Sequence, residues 1–271
     1  MIFPTKIGTD SEGYIVNNIS LNKIPEQYIE PLDFIVKNLK SILGSKLHSI
    51  YIYGSVGRGN AIVGKSDVDL SIIVGNLVTN NERELLELGK EELLKKYSYI
   101  PKVDYDIGVL DEVLLSENLY FWGFWLKHCC SCIYGENLAQ RFPKMKPSKN
   151  IAINMNRKIE SELQNYKRRI ETEEDCDKLN LLVKSALKRV IRGTYTLTIE
   201  SDMSWSDNLS DNVEIFQHYY PREDTIRRVK ELLEATSVNK EEVLDAIEYF
   251  KCWVTAELDK FKGLPSVETS E

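Results

Sequence analysis

Residues 51–74 read YIYGSVGRGNAIVGKSDVDLSIIV, and this stretch decides the fold. An apolar run ends in Gly-Ser at 54–55, and a polar link leads to Ser-Asp-Val-Asp at 66–69, which opens a second apolar run. Short apolar runs that are bounded by turn residues are typical of strands. We therefore expect strands over residues 47–53 and 67–74, joined by a tight connection.

Two aspartates, Asp67 and Asp69, open the second predicted strand. Side chains two residues apart in a strand point to the same face, so these carboxylates would lie side by side and repel each other. A cation removes that repulsion, and Mg²⁺ is typically bound by one or two carboxylates together with substrate phosphates. Gly54 permits a tight turn, and Ser55 offers a hydroxyl and an N–H to a phosphate oxygen. The pattern predicts a site for a nucleoside triphosphate.

The order of these motifs resembles that of the DNA polymerase beta-like nucleotidyltransferase superfamily. Its signature is an apolar strand, Gly-Ser, a short link and then Asp-apolar-Asp-apolar, which GSVGRG at 54–59 and SDVDL at 66–70 match. The resemblance implies an in-line attack on the α-phosphorus of a nucleoside triphosphate, with ATP as the expected donor, and release of pyrophosphate. It also implies two Mg²⁺ ions, about 4 Å apart, which stabilise the entering and departing oxygens.

The resemblance assigns roles to individual residues of this chain. Asp67 and Asp69 would bridge the two metal ions. The residues that would hold the β- and γ-phosphates are Gly54, Ser55 and Ser66. Arg58 is the nearest cation and would contact the same phosphates, or would serve only as a helix cap.

The superfamily also implies a third carboxylate on a neighbouring strand. Residues 102–110, KVDYDIGVL, are strand-like, and Asp104 and Asp106 share one face of that strand. Such strands often read Asp, apolar residues and then Leu-Asp, and the run from Asp106 to Asp111 fits this spacing. We predict Asp106 as a catalytic metal ligand that also takes the acceptor's proton. Asp104 is the alternative, and both could instead be ordinary solvent-facing strand residues.

Composition favours a cytoplasmic protein. The chain has 271 residues, 42% of them hydrophobic, which allows one large domain or two modest ones with an ordinary core. No uncharged apolar stretch is long enough to span a membrane, and the first residues do not read as a secretory signal. Five cysteines, three of them crowded within 129–132, are a poor disulfide framework and agree with a reducing compartment.

Charge bears on the choice of partner. The formal net charge is −7, which lacks the basic footprint expected for nucleic-acid binding. Residues 151–271 carry 24 acidic and 18 basic side chains, so six of the seven excess charges lie there. This balance favours a cationic small-molecule acceptor, although solubility alone would also explain it.

Before the linker, helical and strand patterns alternate. A helix is expected over 25–43 with Gly44 as its stop, and another from the N-cap Thr79 to about residue 97. A third strand is expected over 103–110, and a short strand and turn over 132–138. Between them, the aromatic-rich run 114–127 is more typical of a core or domain interface than of a recognition site.

After a Pro- and Lys-rich linker at 143–150, apolar residues recur at helical spacing to the end of the chain. The predicted helices are 155–171, 179–197, 211–219, 222–235 and 240–262, with Gly193, Pro221 and Ser237 among the breakers between them. We predict an α/β (α+β) catalytic domain with a mixed sheet over 1–145, followed by an all-α helical bundle over 150–271.

Length, domain order and the helical C-terminal half resemble those of the aminoglycoside adenylyltransferases that modify streptomycin and spectinomycin. That resemblance implies resistance to such antibiotics, a basic residue from the bundle on the nucleotide, and a cationic acceptor held between the domains. Arg189 is the expected nucleotide contact, in a helix that also carries Lys184, Lys188 and Arg192. The alternatives are nucleotide transfer onto a protein or RNA, and an inactive nucleotide-binding regulator.

Overall fold

The computed structural model describes residues 1–235, 237 and 239–263 and falls into two compact units. The sheet unit is Val16–Met145. The helical unit combines Met1–Ile15 with the chain from Lys146 onward, so the first fifteen residues pack with helices far along the chain. The domain limits expected from the sequence, 1–145 and 150–271, stay a prediction.

The described residues of the sheet unit form one four-stranded sheet, in the order β3-β2-β1-β4. The strands are β1 Leu47–Tyr53, β2 Val68–Val74, β3 Val103–Val109 and β4 Ser131–Gly135. β1 is antiparallel to β2 and β4, whereas β2 and β3 are parallel. The mixed sheet predicted from the sequence is confirmed, with β2 starting one residue later than expected.

Two long helices cover one face of this sheet. They are α1, Ile29–Leu43, and α3, Asn80–Lys96, and between β1 and β2 lies the short helix α2, Gly54–Arg58. Apolar side chains of α1 and α3 pack on the inward side chains of β1 and β2, and this core is fully buried at its centre. Parallel strands need a crossover connection, and α3 supplies it between β2 and β3.

The opposite face of the sheet is covered by an aromatic segment, Leu119–His128. It consists of a π-helical turn, Leu119–Gly123, and the helix α5, Phe124–His128, and it follows the short helix α4, Leu110–Val113. Trp122 is buried in the same apolar cluster as Tyr51 of β1. The aromatic run is therefore largely core, as its density predicted.

The helical unit is built around the long helix α8. Its helices are α6 Lys149–Met155, α7 Ile159–Thr172, α8 Cys176–Thr196, α9 Ile199–Asp202, α10 Leu209–Tyr219, α11 Thr225–Glu234 and α12 Lys240–Gly263. Buried apolar residues from most of these helices form one cluster. The predicted helical C-terminal part is confirmed. Among the residues that the structure describes, no helix is both long enough and apolar enough to cross a membrane.

The sequence suggested that Gly193 ends a helix, but this residue lies inside α8. A Cβ on this residue would approach Cδ1 of Ile159, at the start of α7, to 2.4 Å. The glycine therefore allows the two helices to pack closely and does not break α8.

Candidate active site

The connection from β1 to α2 is formed at Gly54, which has a φ of +72°. A Cβ at this position would lie 2.1 Å from Oδ2 of Asp69, far inside van der Waals contact. Glycine is therefore required here both by its backbone conformation and by the approach of a carboxylate.

The remaining residues of the Gly-Ser motif lie in α2. Ser55 and Arg58 are half-buried, and the helix is capped by Gly59, which has a φ of +79°. The carbonyl of Ser55 accepts the backbone N–H of Asn60 at 3.1 Å, which closes the turn after the helix. Ser55 and Arg58 thus follow the end of β1 directly.

Ser66 closes the turn that precedes β2. Its Oγ accepts the backbone N–H of Ile62 at 2.8 Å, and its own N–H donates to the carbonyl of Ile62 at 2.8 Å. This observed role is to hold the turn. A phosphate contact by Ser66, expected from the sequence, stays a prediction.

Asp67 and Asp69 take different places at the start of β2. Asp67 lies one residue before the strand, and Asp69 lies within it, opposite Tyr53 of β1. Both are half-buried. The strand register thus brings Asp69 to the end of β1, next to the Gly54 turn.

Asp106, on β3, is exposed and accepts a hydrogen bond from the hydroxyl of Tyr53, with Oη 2.7 Å from Oδ2. Asp104 lies beside Asp69 in the β2–β3 register, and its Oδ2 is 2.7 Å from Nζ of Lys102. The two candidate third carboxylates therefore have different partners. Of the two, only Asp106 is hydrogen-bonded to Tyr53, the residue that directly precedes Gly54.

Tyr53 lies next to two of the carboxylates, because it is hydrogen-bonded to Asp106 and lies opposite Asp69 in the β1–β2 register. Burial raises the pKa of its hydroxyl, and the negative charges of Asp106 and Asp69 raise that pKa further. The hydroxyl therefore keeps its proton at neutral pH and acts as a donor. Sequence reasoning missed Tyr53, although its position directly before the Gly-Ser pair, on the expected face of Asp69, was a usable signal.

A hydrogen bond and a ring contact, both made by Trp125, support this end of the sheet. Nε1 of Trp125 donates to Oγ of Ser71 at 3.0 Å, and the Trp125 ring lies edge-on to Tyr53 with centroids 5.0 Å apart. Ser71 is fully buried and is the register neighbour of Asp106. Neither contact could be found from the sequence, because Trp125 is 54 residues from Ser71 along the chain and further still from Tyr53.

The carboxylates have the chemistry of metal ligands. Carboxylate oxygens are donors that Mg²⁺ prefers, and Asp69 and Asp106 both lie near Tyr53, Asp69 as its register partner and Asp106 as its hydrogen-bond acceptor. Within residues 1–235, 237 and 239–263, however, no three His, Cys, Asp or Glu side chains are placed to hold one ion. The carboxylates are therefore suitable ligands for Mg²⁺ by their chemistry.

Arg189 lies in α8 of the helical unit and is held by three oxygen acceptors. Its Nε is 2.6 Å from Glu162, and its Nη atoms donate to the Asn156 side chain at 3.1 Å and to the Met155 carbonyl at 3.2 Å. The structure thus gives this guanidinium a role in joining α6, α7 and α8. The contact with a nucleotide that was predicted for Arg189 stays a prediction.

Comparison with known proteins defines the class. Residues 33–122 match the family model described as a nucleotidyltransferase domain. This range includes β1, α2, β2, β3 and the carboxylates described above. The chain carries a nucleotidyltransferase domain and is an enzyme of the nucleotidyltransferase class.

Among solved structures, the chain is similar to the spectinomycin adenyltransferase AAD(9) from Enterococcus faecialis, crystallised with ATP and spectinomycin. The two are 17% identical, with a TM-score of 0.54, and the match covers 83% of this chain and 98% of that one. At this identity the likeness concerns the fold, which extends over both the sheet and the helical part. No curated protein matches this chain.

Proposed function

We propose that this chain is a Mg²⁺-dependent enzyme that moves AMP from ATP to a hydroxyl group of a small cationic acceptor and releases pyrophosphate. One observation carries the proposal: at the Gly54 end of the sheet, Asp106 accepts the hydrogen bond of the Tyr53 hydroxyl, and Asp69 lies opposite Tyr53 on the neighbouring strand. The match of residues 33–122 to a nucleotidyltransferase domain supports the class of reaction.

The roles proposed for the carboxylates follow from their chemistry. Asp67, Asp69 and Asp106 would bind Mg²⁺ together with the phosphate oxygens of the nucleotide, since protein side chains and substrate phosphates commonly share this ion. When bound, the metal would neutralise the charge that develops on the phosphates. Asp106 would also accept the proton of the attacking hydroxyl.

The proposed phosphate contacts come from the turn after β1 and the turn before β2. Close backbone approach at Gly54, the hydroxyl and N–H of Ser55, and the hydroxyl of Ser66 would hold the β- and γ-phosphates. Arg58, at the end of α2, would add a positive charge.

The proposed reaction is a single displacement at phosphorus. The acceptor oxygen forms a bond to the α-phosphorus of ATP while the bond from that phosphorus to the bridging oxygen breaks. The acceptor proton passes to Asp106, and the electron pair leaves with pyrophosphate. Orientation of the two substrates supplies much of the rate in reactions of this kind.

Two observations support a cationic acceptor. Residues 151–271 carry most of the excess negative charge of the chain. The solved structure to which the fold is similar holds spectinomycin together with ATP.

The function is tested by incubating the protein with each nucleoside triphosphate, Mg²⁺ and a panel of aminoglycosides, including spectinomycin and streptomycin, and measuring pyrophosphate release. Mass spectrometry of the acceptor should show the added nucleoside monophosphate. The Asp69→Ala variant is the inactive control. Because the attraction would be largely electrostatic, the acceptor KM should rise with salt.

Two outcomes would contradict the proposal. Labelling of a protein or RNA, with no aminoglycoside supporting pyrophosphate release, would identify a macromolecular target. Nucleotide binding without pyrophosphate release from any acceptor would instead indicate a regulator that does not turn over.

A further inference from the structure

We propose that Tyr53 is a positioning residue for the third carboxylate, and that Trp125 holds Tyr53 in place. The inference rests on the proposed function, in which Asp106 binds metal and accepts a proton. The carrying observation is the 2.7 Å hydrogen bond from the Tyr53 hydroxyl to Oδ2 of Asp106.

Sheet geometry makes this contact selective. Tyr53 lies on β1 and Asp106 on β3, with β2 between them, so the side chains bridge two strand spacings, about 9.6 Å. In register, Tyr53 lies opposite Asp69, and Asp69 lies beside Asp104. The Tyr53 hydroxyl nevertheless bonds to Asp106, two residues further along β3 than Asp104. A short hydroxyl side chain could not make this contact.

The Tyr53 ring is held from the side by the aromatic segment. The Trp125 ring packs edge-on against it, with an interplanar angle of 69°, and the indole N–H is bonded to Ser71. Ser71 is fully buried in β2, so the indole is anchored to the rigid centre of the sheet. A chain of contacts thus runs from Ser71 through Trp125 and Tyr53 to Asp106.

The consequence concerns the orientation of the carboxylate. Asp106 is exposed on an edge strand, where a side chain is ordinarily free to rotate. A hydrogen bond from a fixed hydroxyl restricts that rotation and sets the direction of the remaining oxygen. Residues that orient a ligating carboxylate in this way typically change metal affinity or activity by about 10–100-fold when they are mutated.

The first test is Tyr53→Phe, which removes the hydroxyl and keeps the ring. Its matched control is Tyr51→Phe, two residues away on the same strand and face. The Tyr51 hydroxyl donates to the carbonyl of Glu136 at 3.0 Å and accepts from the N–H of Leu138 at 2.7 Å, without contacting a carboxylate. Tyr51→Phe therefore measures what the loss of a bonded hydroxyl does to this sheet.

We expect Tyr53→Phe to lower both kcat and the affinity for Mn²⁺, measured by electron paramagnetic resonance with ATP present, by about 10–100-fold. The acceptor KM should not change. Tyr51→Phe should be less stable than wild type but should keep kcat and Mn²⁺ affinity. Trp125→Phe, which loses the N–H but keeps an aromatic ring, should give a smaller decrease in both quantities than Tyr53→Phe.

A double-mutant cycle separates positioning from a structural role. If Tyr53 acts through Asp106, Tyr53→Phe should have no further effect on kcat in an Asp106→Asn background. Additive effects would overturn the inference. So would wild-type kcat and Mn²⁺ affinity in Tyr53→Phe, or equal losses in the two tyrosine variants.

The two proposals fail in different ways. A wild-type protein that binds neither Mn²⁺ nor ATP would overturn the proposed function, and this inference with it. A wild-type protein that binds both, beside a Tyr53→Phe variant that matches it, would overturn the inference alone.

Discussion

Gly54 and Asp69 are in such close contact that no side chain fits between them. A Cβ on residue 54 would lie 2.1 Å from Oδ2 and 3.1 Å from Cγ of Asp69. The Gly-Ser motif therefore determines the position of the Asp-Val-Asp motif, because the missing side chain of Gly54 provides the space for the Asp69 carboxylate.

The Gly54→Ala variant should lose nucleotidyl transfer. Alanine at a φ of +72° costs about 1–3 kcal/mol of stability, and its Cβ would also displace the Asp69 carboxylate. Gly44→Ala is the control, since Gly44 also has a positive φ but nothing within 4 Å of the added Cβ. Denaturant unfolding should show losses in both variants, whereas only Gly54→Ala should lose pyrophosphate release. Normal turnover in Gly54→Ala would refute the close contact.

Asp67→Ala and Asp69→Ala should each abolish transfer and leave the fold intact. Each removes a proposed metal ligand and also relieves like-charge repulsion, so the metal-free variants should be slightly more stable than wild type. Asp33→Ala, at an exposed position of α1, removes the same charge from the same unit and should keep full activity. Near wild-type turnover in either Asp67→Ala or Asp69→Ala would refute the metal assignment for that residue.

Asp106→Asn should lower kcat by roughly 10²-fold or more, because it removes the proposed base, while nucleotide binding is largely retained. Asparagine still accepts the Tyr53 hydrogen bond, so the local structure should persist. Asp104→Asn breaks only an exposed pair with Lys102, worth about 0–1 kcal/mol, and should remain active. If Asp104→Asn is inactive and Asp106→Asn is active, the assignment is wrong by two residues along β3.

Local patterns predicted the sheet unit well. β1 has the predicted bounds, and α3 begins at the predicted cap. At that cap, Oγ1 of Thr79 accepts the N–H of Glu82 while the Glu82 carboxylate accepts the N–H of Thr79. Such features are local, because strand alternation and capping depend on residues only a few positions apart.

Contacts between distant segments could not be predicted. The packing of residues 1–15 with the helical unit rests on contacts such as the stacking of Phe3 on His218, whose centroids are 3.7 Å apart. The hydrogen bond from Tyr53 to Asp106 likewise depends on the strand order and register. Gly193 was misread because a glycine that ends a helix and one that allows two helices to approach look alike in a sequence.

Acid should weaken the sheet unit partly through Glu82. Hydrogen bonds from Lys46 and Thr79 lower the pKa of this carboxyl from 4.5 to about 2. Since the unfolded chain takes up the proton first, the stabilisation is complete above pH 4.5 and is lost as pH falls toward 2.

Glu82→Gln should therefore be less stable than wild type at pH 7, and the difference should vanish near pH 2. Thermal unfolding across this range measures it. Glu84→Gln, which changes an exposed carboxylate of the same helix, should keep the pH dependence of wild type. A constant difference between Glu82→Gln and wild type at all pH values would contradict the assignment.

Arg189→Ala should destabilise the helical unit. Its guanidinium is only 21% exposed and binds Glu162, Asn156 and the carbonyl of Met155, so losing it leaves three acceptors without their donor. Hydrogen bonds to charged groups contribute about 1.5–3 kcal/mol, and the free energy of unfolding should fall by about that amount. Lys184→Ala, at an exposed position of α8, removes the same charge and should have little effect.

The same variant tests the nucleotide contact that the sequence suggested for Arg189. Arg189→Lys keeps the charge but loses the planar fork that binds several acceptors at once, so it should also be destabilised. If Arg189 contacts the phosphates as well, the KM for ATP should rise more in Arg189→Ala than in Arg189→Lys, in protein shown to be folded by circular dichroism. An unchanged KM in both would leave Arg189 with its structural role alone, and wild-type stability in Arg189→Ala would contradict that role.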